Sequence, residues 1–278
     1  MAENGSSGEK VVVITGASGG IGAAVARELG RRGHALVLAA RNEDALRAVA
    51  AEAGGRVHVV RADVTKRADV ERLRDEALAA FGRVDVWINN AGRGINRSVH
   101  ELTDDDIDEM IAVNVKGPVY GAQAILPHFQ ERGTGHLINI SSFLGRVPVA
   151  TNRSVYSAAK AALNSLTANL RVDLAKSFPG IHVSTVMPGI VSTDFATNAL
   201  GAGSGPPGIR PTGPMAPQTA EEVATQIADL VDAPKPELYT NPAHPAIARA
   251  YYADVGAFEE QAARGFAPPP QPQPAADA

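Results

Sequence analysis

The chain of 278 residues contains no cysteine. That excludes disulfide bridges, thiolate nucleophiles and cysteine-ligated zinc. It has no basic run either. Its 26 Lys and Arg and 30 Asp and Glu are spread along the chain for a formal net charge of −4, which argues against nucleic acid or an anionic membrane as a partner. No apolar stretch approaches the roughly 20 residues of a membrane span. The opening MAENGSSGEK is polar and lacks the apolar region of a signal peptide. The seven histidines include no His-x-x-x-His or His-x-His spacing, so no metal site is expected. The expectation that remains is a soluble, cytoplasmic chain whose 45% hydrophobic content supports a packed core.

From Lys10 onward, two textures alternate. Short runs rich in Val and Ile read as buried strands: VVVIT (11–15), ALVLA (35–39), RVHVVRA (56–62), VDVWIN (84–89), HLINIS (136–141), IHVSTVM (181–187) and a short PELYT (236–240). Segments with helical spacing separate them. One, starting near a Thr65 cap, runs to Phe81; one or two span about 103–130; another runs from Ser154 to Lys176. Strict alternation implies a parallel sheet of six or seven strands covered by helices on both faces, an α/β single domain over 10–264. Residues 1–9 read as a disordered tail and 265–278 as a Pro-rich disordered one. The Gly- and Pro-rich stretch within 190–217 reads as a flexible substrate loop.

TGASGGIG (15–22) joins the first strand to a helix. Its Gly16, Gly20 and Gly22 have the spacing of a turn that lets backbone approach a pyrophosphate at a helix N-terminus. A dinucleotide that carries a free ribose 2′-OH is usually met by an acidic residue at the end of the second strand. Here that place holds Ala40, Arg41 and Asn42. Arg41 offers a planar fork for a 2′-phosphate, unless it is only a surface arginine at a helix start. Further on, SVYSAAK (154–160) sets Tyr156 and Lys160 on one helix face. The pair alone does not distinguish a tuned tyrosine from two solvated side chains.

Taken together and in order, T-G-x-x-x-G-x-G, Asn89-Asn90-Ala91-Gly92, Asn114 in VNVKG, Ser141-Ser142-Phe143-Leu144-Gly145, Tyr156-x-x-x-Lys160 and Pro188-Gly189-Ile190-Val191-Ser192-Thr193 resemble the short-chain dehydrogenase/reductase family. The interval from Ser142 to Tyr156 is one residue longer than the family's commonest spacing. The resemblance implies a Rossmann-like doubly wound sheet and an oxidoreductase acting on a small ketone, aldehyde or alcohol. It implies Asn114, Ser142, Tyr156 and Lys160 as the catalytic set, with Tyr156 the general acid/base and Lys160 lowering its pKa. It implies NADP(H) rather than NAD(H), held by Gly16, Ser18, Gly20, Ile21, Gly22, Arg41, Asp63, Val64, Asn90, Ala91, Gly92, Tyr156, Lys160, Pro188, Gly189, Val191 and Thr193. It also implies a homo-oligomer, dimer or tetramer. The resemblance gives Asp63 the adenine amino group; the alternative is a cap or turn residue before the next helix. Arg93, Ile95, Phe143, Val149, Val191 and Phe195 are expected near the substrate. The alternatives are a non-catalytic NADP(H) sensor or scaffold on the same fold, and epimerisation or dehydration of a sugar.

Overall fold

The computed structural model describes residues 8–201 and 216–264. The expected tails therefore lie largely outside the described residues, as does half of the expected substrate loop. Seven strands form one sheet: β1 (Val11–Thr15), β2 (Ala35–Ala40), β3 (Val57–Arg61), β4 (Val86–Asn89), β5 (Gly135–Ile140), β6 (Ile181–Met187) and β7 (Glu237–Tyr239). Their order is β3-β2-β1-β4-β5-β6-β7 and every pairing is parallel. The central strands are mainly apolar because both faces are covered, so period-2 alternation sorts most of their side chains between two cores rather than between core and water. Val12 and Ile14 pack with Leu36, Leu38 and the helices α1 (Gly20–Arg31), α2 (Glu43–Ala53) and α7 (Ala220–Asp232). Val11 and Val13 pack with Trp87, Leu137 and the helices α3 (Arg67–Phe81), α5 (Gly117–Arg132) and α6 (Ser154–Ala175).

Local chemistry sets several helix ends. Asn42 caps α2 by accepting from the Ala45 amide at 3.1 Å, with Glu43 and Asp44 in the first turn. Thr219 and Glu222 form a reciprocal capping box on α7. Thr65 is not the cap of α3. Its hydroxyl donates to Asp63 at 2.8 Å, and Lys66 takes the cap position without a side-chain bond. The 103–132 region is interrupted as well: α4 (Asp104–Ile111) passes through a π-helical turn, Ala112–Lys116, into α5. The sequence reading assigned no element after residue 240. The chain there forms α8 (His244–Ala253) and α9 (Val255–Ala263). Asn241-Pro242 and His244-Pro245 look like loop punctuation, yet proline in a first helical turn loses no hydrogen bond.

One polar network lies inside the second core, directly under the strand ends. Trp87 Nε1 donates to Asn89 Oδ1 at 2.8 Å. Asn89 Nδ2 donates to Asn139 Oδ1 at 2.8 Å and to the Pro118 carbonyl at 3.1 Å. Asn139 Nδ2 in turn donates to Thr167 Oγ1 at 2.9 Å, tying β4 and β5 to α5 and α6. Replacing Asn89 by Leu would strand three buried polar groups, each worth about 1–3 kcal/mol. Asn89→Leu is expected to lower Tm by roughly 6–12 °C in a chain of this size. A thermal melt that moves less than about 2 °C would remove Asn89 from this structural role.

Candidate active site

A cleft of about 910 Å³ opens along the carboxyl ends of β1 to β6. It sits at the point between β1 and β4 where strand order reverses, the usual ligand position in a doubly wound sheet. Its first part is the glycine turn. Gly16 has φ 67° and Gly20 φ 53°, the left-handed region that favours glycine. A Cβ on Gly16 would stand 2.7 Å from Ala91 Cα, so the turn leaves no space for one. The first turn of α1 carries no acidic residue and no side-chain cap. Its free amides therefore face the cleft as an anion site. These features fit a dinucleotide pyrophosphate.

Ser18, Ile21, Arg41, Asp63, Val64, Asn90, Ala91, Gly92, Pro188, Gly189, Val191 and Thr193 also line the cleft. Gly22 does not. It is buried where a Cβ would lie 2.4 Å from both the Gly16 carbonyl and Asn90 Nδ2, so it serves packing of α1 under the turn. Asn90 is a clamp as well as a wall: its Nδ2 donates to the Thr15 and Gly16 carbonyls at 2.9 and 3.1 Å. Asp63 lines the cleft while accepting from the Thr65 amide and hydroxyl, so it is a turn residue in either reading. Arg41 is exposed at the end of β2 and makes no ion pair among the described residues.

At the other end, the structure brings Ser142, Tyr156 and Lys160 onto one wall. Ser142 follows β5, and its Oγ accepts from the Leu144 amide at 3.1 Å and is hydrogen-bonded to the Tyr156 phenol. Ser141 turns the other way, donating to the Lys160 carbonyl at 3.2 Å. Gly145 lies against the same helix; a Cβ there would meet the Lys160 carbonyl carbon at 2.8 Å. Asn114 is wholly buried in the π-turn and does not line the cleft. Its Nδ2 donates to the Arg93 and Met110 carbonyls at 2.9 and 3.1 Å. Gly92 separates it from the cleft: Asn114 Oδ1 and Lys160 Nζ lie 3.2 and 3.6 Å from where a Gly92 Cβ would be.

Electrostatics differ from the expectation that Lys160 lowers the tyrosine pKa. Burial pushes the Tyr156 phenol up to about 12, against the Ser142 hydrogen bond and the Arg153 charge, which pull it down. Burial also pushes Lys160 down to about 7. Its Nζ donates to the Ile140 carbonyl at 2.9 Å and stands 5.7 Å from the Tyr156 ring centre. Both shifts favour the neutral form: for Tyr156 the loss of water outweighs the Arg153 charge, and for Lys160 no opposite charge offsets it.

The expected substrate wall is only half correct. Arg93, Val191 and Phe195 line the cleft. Ile95 is fully buried behind it with Met110 and Val155. Phe143 stacks on His244 at 3.8 Å, and Val149 packs on the same cluster, away from the cleft. Strand-end alternation sends Phe143 opposite to Ser142. The sequence reading missed Arg153, the N-cap residue of α6, which lines the cleft three residues before Tyr156.

Among known families, residues 10–201 match the short chain dehydrogenase family. An uncharacterized oxidoreductase of Staphylococcus aureus is 42% identical over 186 residues, covering 66% of this chain and 79% of the relative. A short chain dehydrogenase/reductase from Burkholderia phymatum, in complex with NAD, superposes with a TM-score of 0.79 at 30% identity, over 90% of this chain and 95% of that one. An alcohol dehydrogenase from the archaeon Thermococcus sibiricus, complexed with 5-hydroxy-NADP, gives 0.72 at 31% identity, over 83% and 95%. The chain belongs to the short-chain dehydrogenase/reductase family and is an NAD(P)-dependent oxidoreductase.

The buried lysine has a consequence for stability. Its pKa of about 7 in the folded chain lies below the ordinary lysine value, so the unfolded chain binds more protons above pH 7. Stability from this group therefore rises as pH goes from about 7 to about 10. Lys160→Met lacks that slope. The Tm of wild type relative to the variant is expected to climb across this range; a constant difference would mean that Lys160 keeps an ordinary ammonium.

Proposed function

We propose that the protein is an NADP(H)-dependent carbonyl reductase or alcohol dehydrogenase with Tyr156 as its general acid/base. The observation that carries the reading is a buried phenol, hydrogen-bonded to Ser142, on the wall of a cleft that begins at the glycine turn. Held in this cleft, a nicotinamide dinucleotide would supply the hydride that reduces the carbonyl carbon and leaves the charge on its oxygen. Tyr156 then gives its proton to that oxygen. A phenol near 12 is a good donor to an alkoxide, which is about as basic as hydroxide, with bulk water near 15.7. The Ser142 hydroxyl, with Leu144 N–H already donating to its oxygen, steadies the charge that develops there. Lys160 holds the ribose end and returns a proton to Tyr156. Asn114 braces residues 92–93 beside Lys160; its side chain is engaged with Arg93 and Met110, so its backbone must hold any relay water. In oxidation the same groups act in reverse.

Preference for NADP(H) is read from Arg41 and from the lack of a carboxylate at the end of β2. Both NAD and NADP chemistry occur among the structural neighbours, so this residue carries the choice. Residues 188–201 fold over the cleft: Leu200 and Gly94–Asn96 exchange backbone hydrogen bonds of 2.7 and 3.0 Å, and Thr193 lies against Gly20. This segment would keep water from the reacting carbonyl. Exposed Ile107 on α4, with Leu166 and Val172 on α6, supports a dimer or tetramer formed through these helices.

Tyr156→Phe is expected to bind NADPH like wild type and to reduce a ketone panel at least roughly a hundredfold more slowly; equal turnover would sink the mechanism. In the same assay Arg41→Ala should weaken NADPH far more than NADH. Light scattering should give a mass of two or four chains, and a monomer would refute the assembly.

A further inference from the structure

Three segments meet beside Tyr156. The Arg97 amide donates to the Asn152 carbonyl at 2.9 Å, and Ser154 Oγ donates to the Arg97 carbonyl at 2.7 Å. Leu200 returns the 188–201 segment onto Gly94. At their junction Gly94 has no room for a side chain: a Cβ would lie 2.8 Å from Phe195 and 3.0 Å from Arg153 Nη1. Phe195 in turn stands 5.6 Å from the Tyr156 ring. Tyr156, Phe195 and Arg153 therefore surround one place in the cleft.

Arg153 is an unusual occupant of that place. It is half-buried, and among the described residues its guanidinium makes one hydrogen bond, to a neutral acceptor, the Ile95 carbonyl at 3.0 Å. Among the described residues no carboxylate pairs with it, and residues 202–215 contain no Asp or Glu. The neighbouring Arg93 is different, being neutralised by Glu109 at 2.6 Å. The acidic Asp194 also borders the cleft but is exposed and makes no ion pair with Arg153. The first turn of α6, which begins just after Arg153, carries no acidic side chain, so its partial positive charge adds to that of the guanidinium. A half-desolvated guanidinium with four N–H donors unspent calls for an anion, and a carboxylate matches its fork.

We propose that Arg153 is the substrate's carboxylate anchor, and that the substrate is a short keto acid or the corresponding hydroxy acid. This rests on the reductase reading above. Arg153, the N-cap residue of α6, and Tyr156 both line the cleft, and Phe195 bridges them, 5.6 Å from the Tyr156 ring and beside Arg153 Nη1 over Gly94. A carboxylate on Arg153 therefore leaves a carbonyl a few bonds away within reach of Tyr156. Phe195 covers the carbon chain between them. Reduction consumes one hydride from NADPH and one proton from Tyr156, and the carboxylate passes through unchanged.

The test uses the full chain with NADPH and matched substrates: 2-, 3- and 4-oxo acids of four to six carbons, with their methyl esters. Wild type is expected to favour the best acid over its ester by at least about thirtyfold in kcat/KM, the size of effect that a lost partner in a hydrogen-bonded charge pair produces. Arg153→Gln should erase that preference, mainly through KM, with acid turnover falling at least about tenfold further than ester turnover. Arg153→Lys should recover part of it. Equal losses on acid and ester in Arg153→Gln, or no acid preference in wild type, would overturn the assignment while ester turnover still upholds the reductase reading. If neither series is reduced, calorimetry with NADP+ present decides: butanoate binding that butanamide does not reproduce and that Arg153→Gln abolishes keeps the anion site and rejects the reductase. Equal binding of the two probes, or of neither, rejects the site.

Discussion

The end of β1 is fastened to the turn after β4 by five hydrogen bonds. Thr15 Oγ1 donates to the Ile88 carbonyl and accepts from the Asn90 and Ala91 amides, while Asn90 Nδ2 reaches the Thr15 and Gly16 carbonyls. Gly16 can come that close because it has no Cβ to meet Ala91. The sheet changes direction at this clasp, with β2 and β3 on one side and β5 to β7 on the other. Helices leaving the two halves splay apart and open the cleft between them. The clasp therefore decides where a pyrophosphate meets α1 and how far from it the Tyr156 wall stands.

Two kinds of polar group follow from that arrangement. Asn89, Asn139 and Thr167 lie below the strand ends, fully partnered, and stiffen the floor. Tyr156, Lys160 and Arg153 lie above it, buried or half-buried. Burial costs the charged form of each, and no carboxylate offsets that cost for the two cations. A phenol kept protonated, an amine whose charge is easily lost and a guanidinium with unspent donors are the groups that respond most to an anionic or polar ligand.

The strands were legible because a parallel sheet buries both faces, and continuous Val- and Ile-rich runs of five to seven residues suit few environments besides a sheet covered on both sides. The ordering of T-G-x-x-x-G-x-G, N-N-A-G and Y-x-x-x-K made the family legible as well. Less was readable wherever a residue has two uses. Gly22 reads as a phosphate glycine but is spent on packing against Asn90. Thr65 reads as a cap but serves Asp63. Phe143 and Val149 read as substrate wall but pack around His244 and α8, a helix whose prolines disguised it.

Sequence by itself determined the alternation of strands and helices, the places where glycine is required and the spacing that puts Tyr156 and Lys160 on one helix. These depend on local geometry, which a pattern of neighbours encodes. Tertiary structure decided the rest. It turned Lys160 toward the Ile140 carbonyl, sent Asn114 behind Gly92, and set Arg153 under Gly94 without a carboxylate. Those outcomes depend on which distant segments share a space and how much water they exclude. Spacing along the chain carries neither quantity.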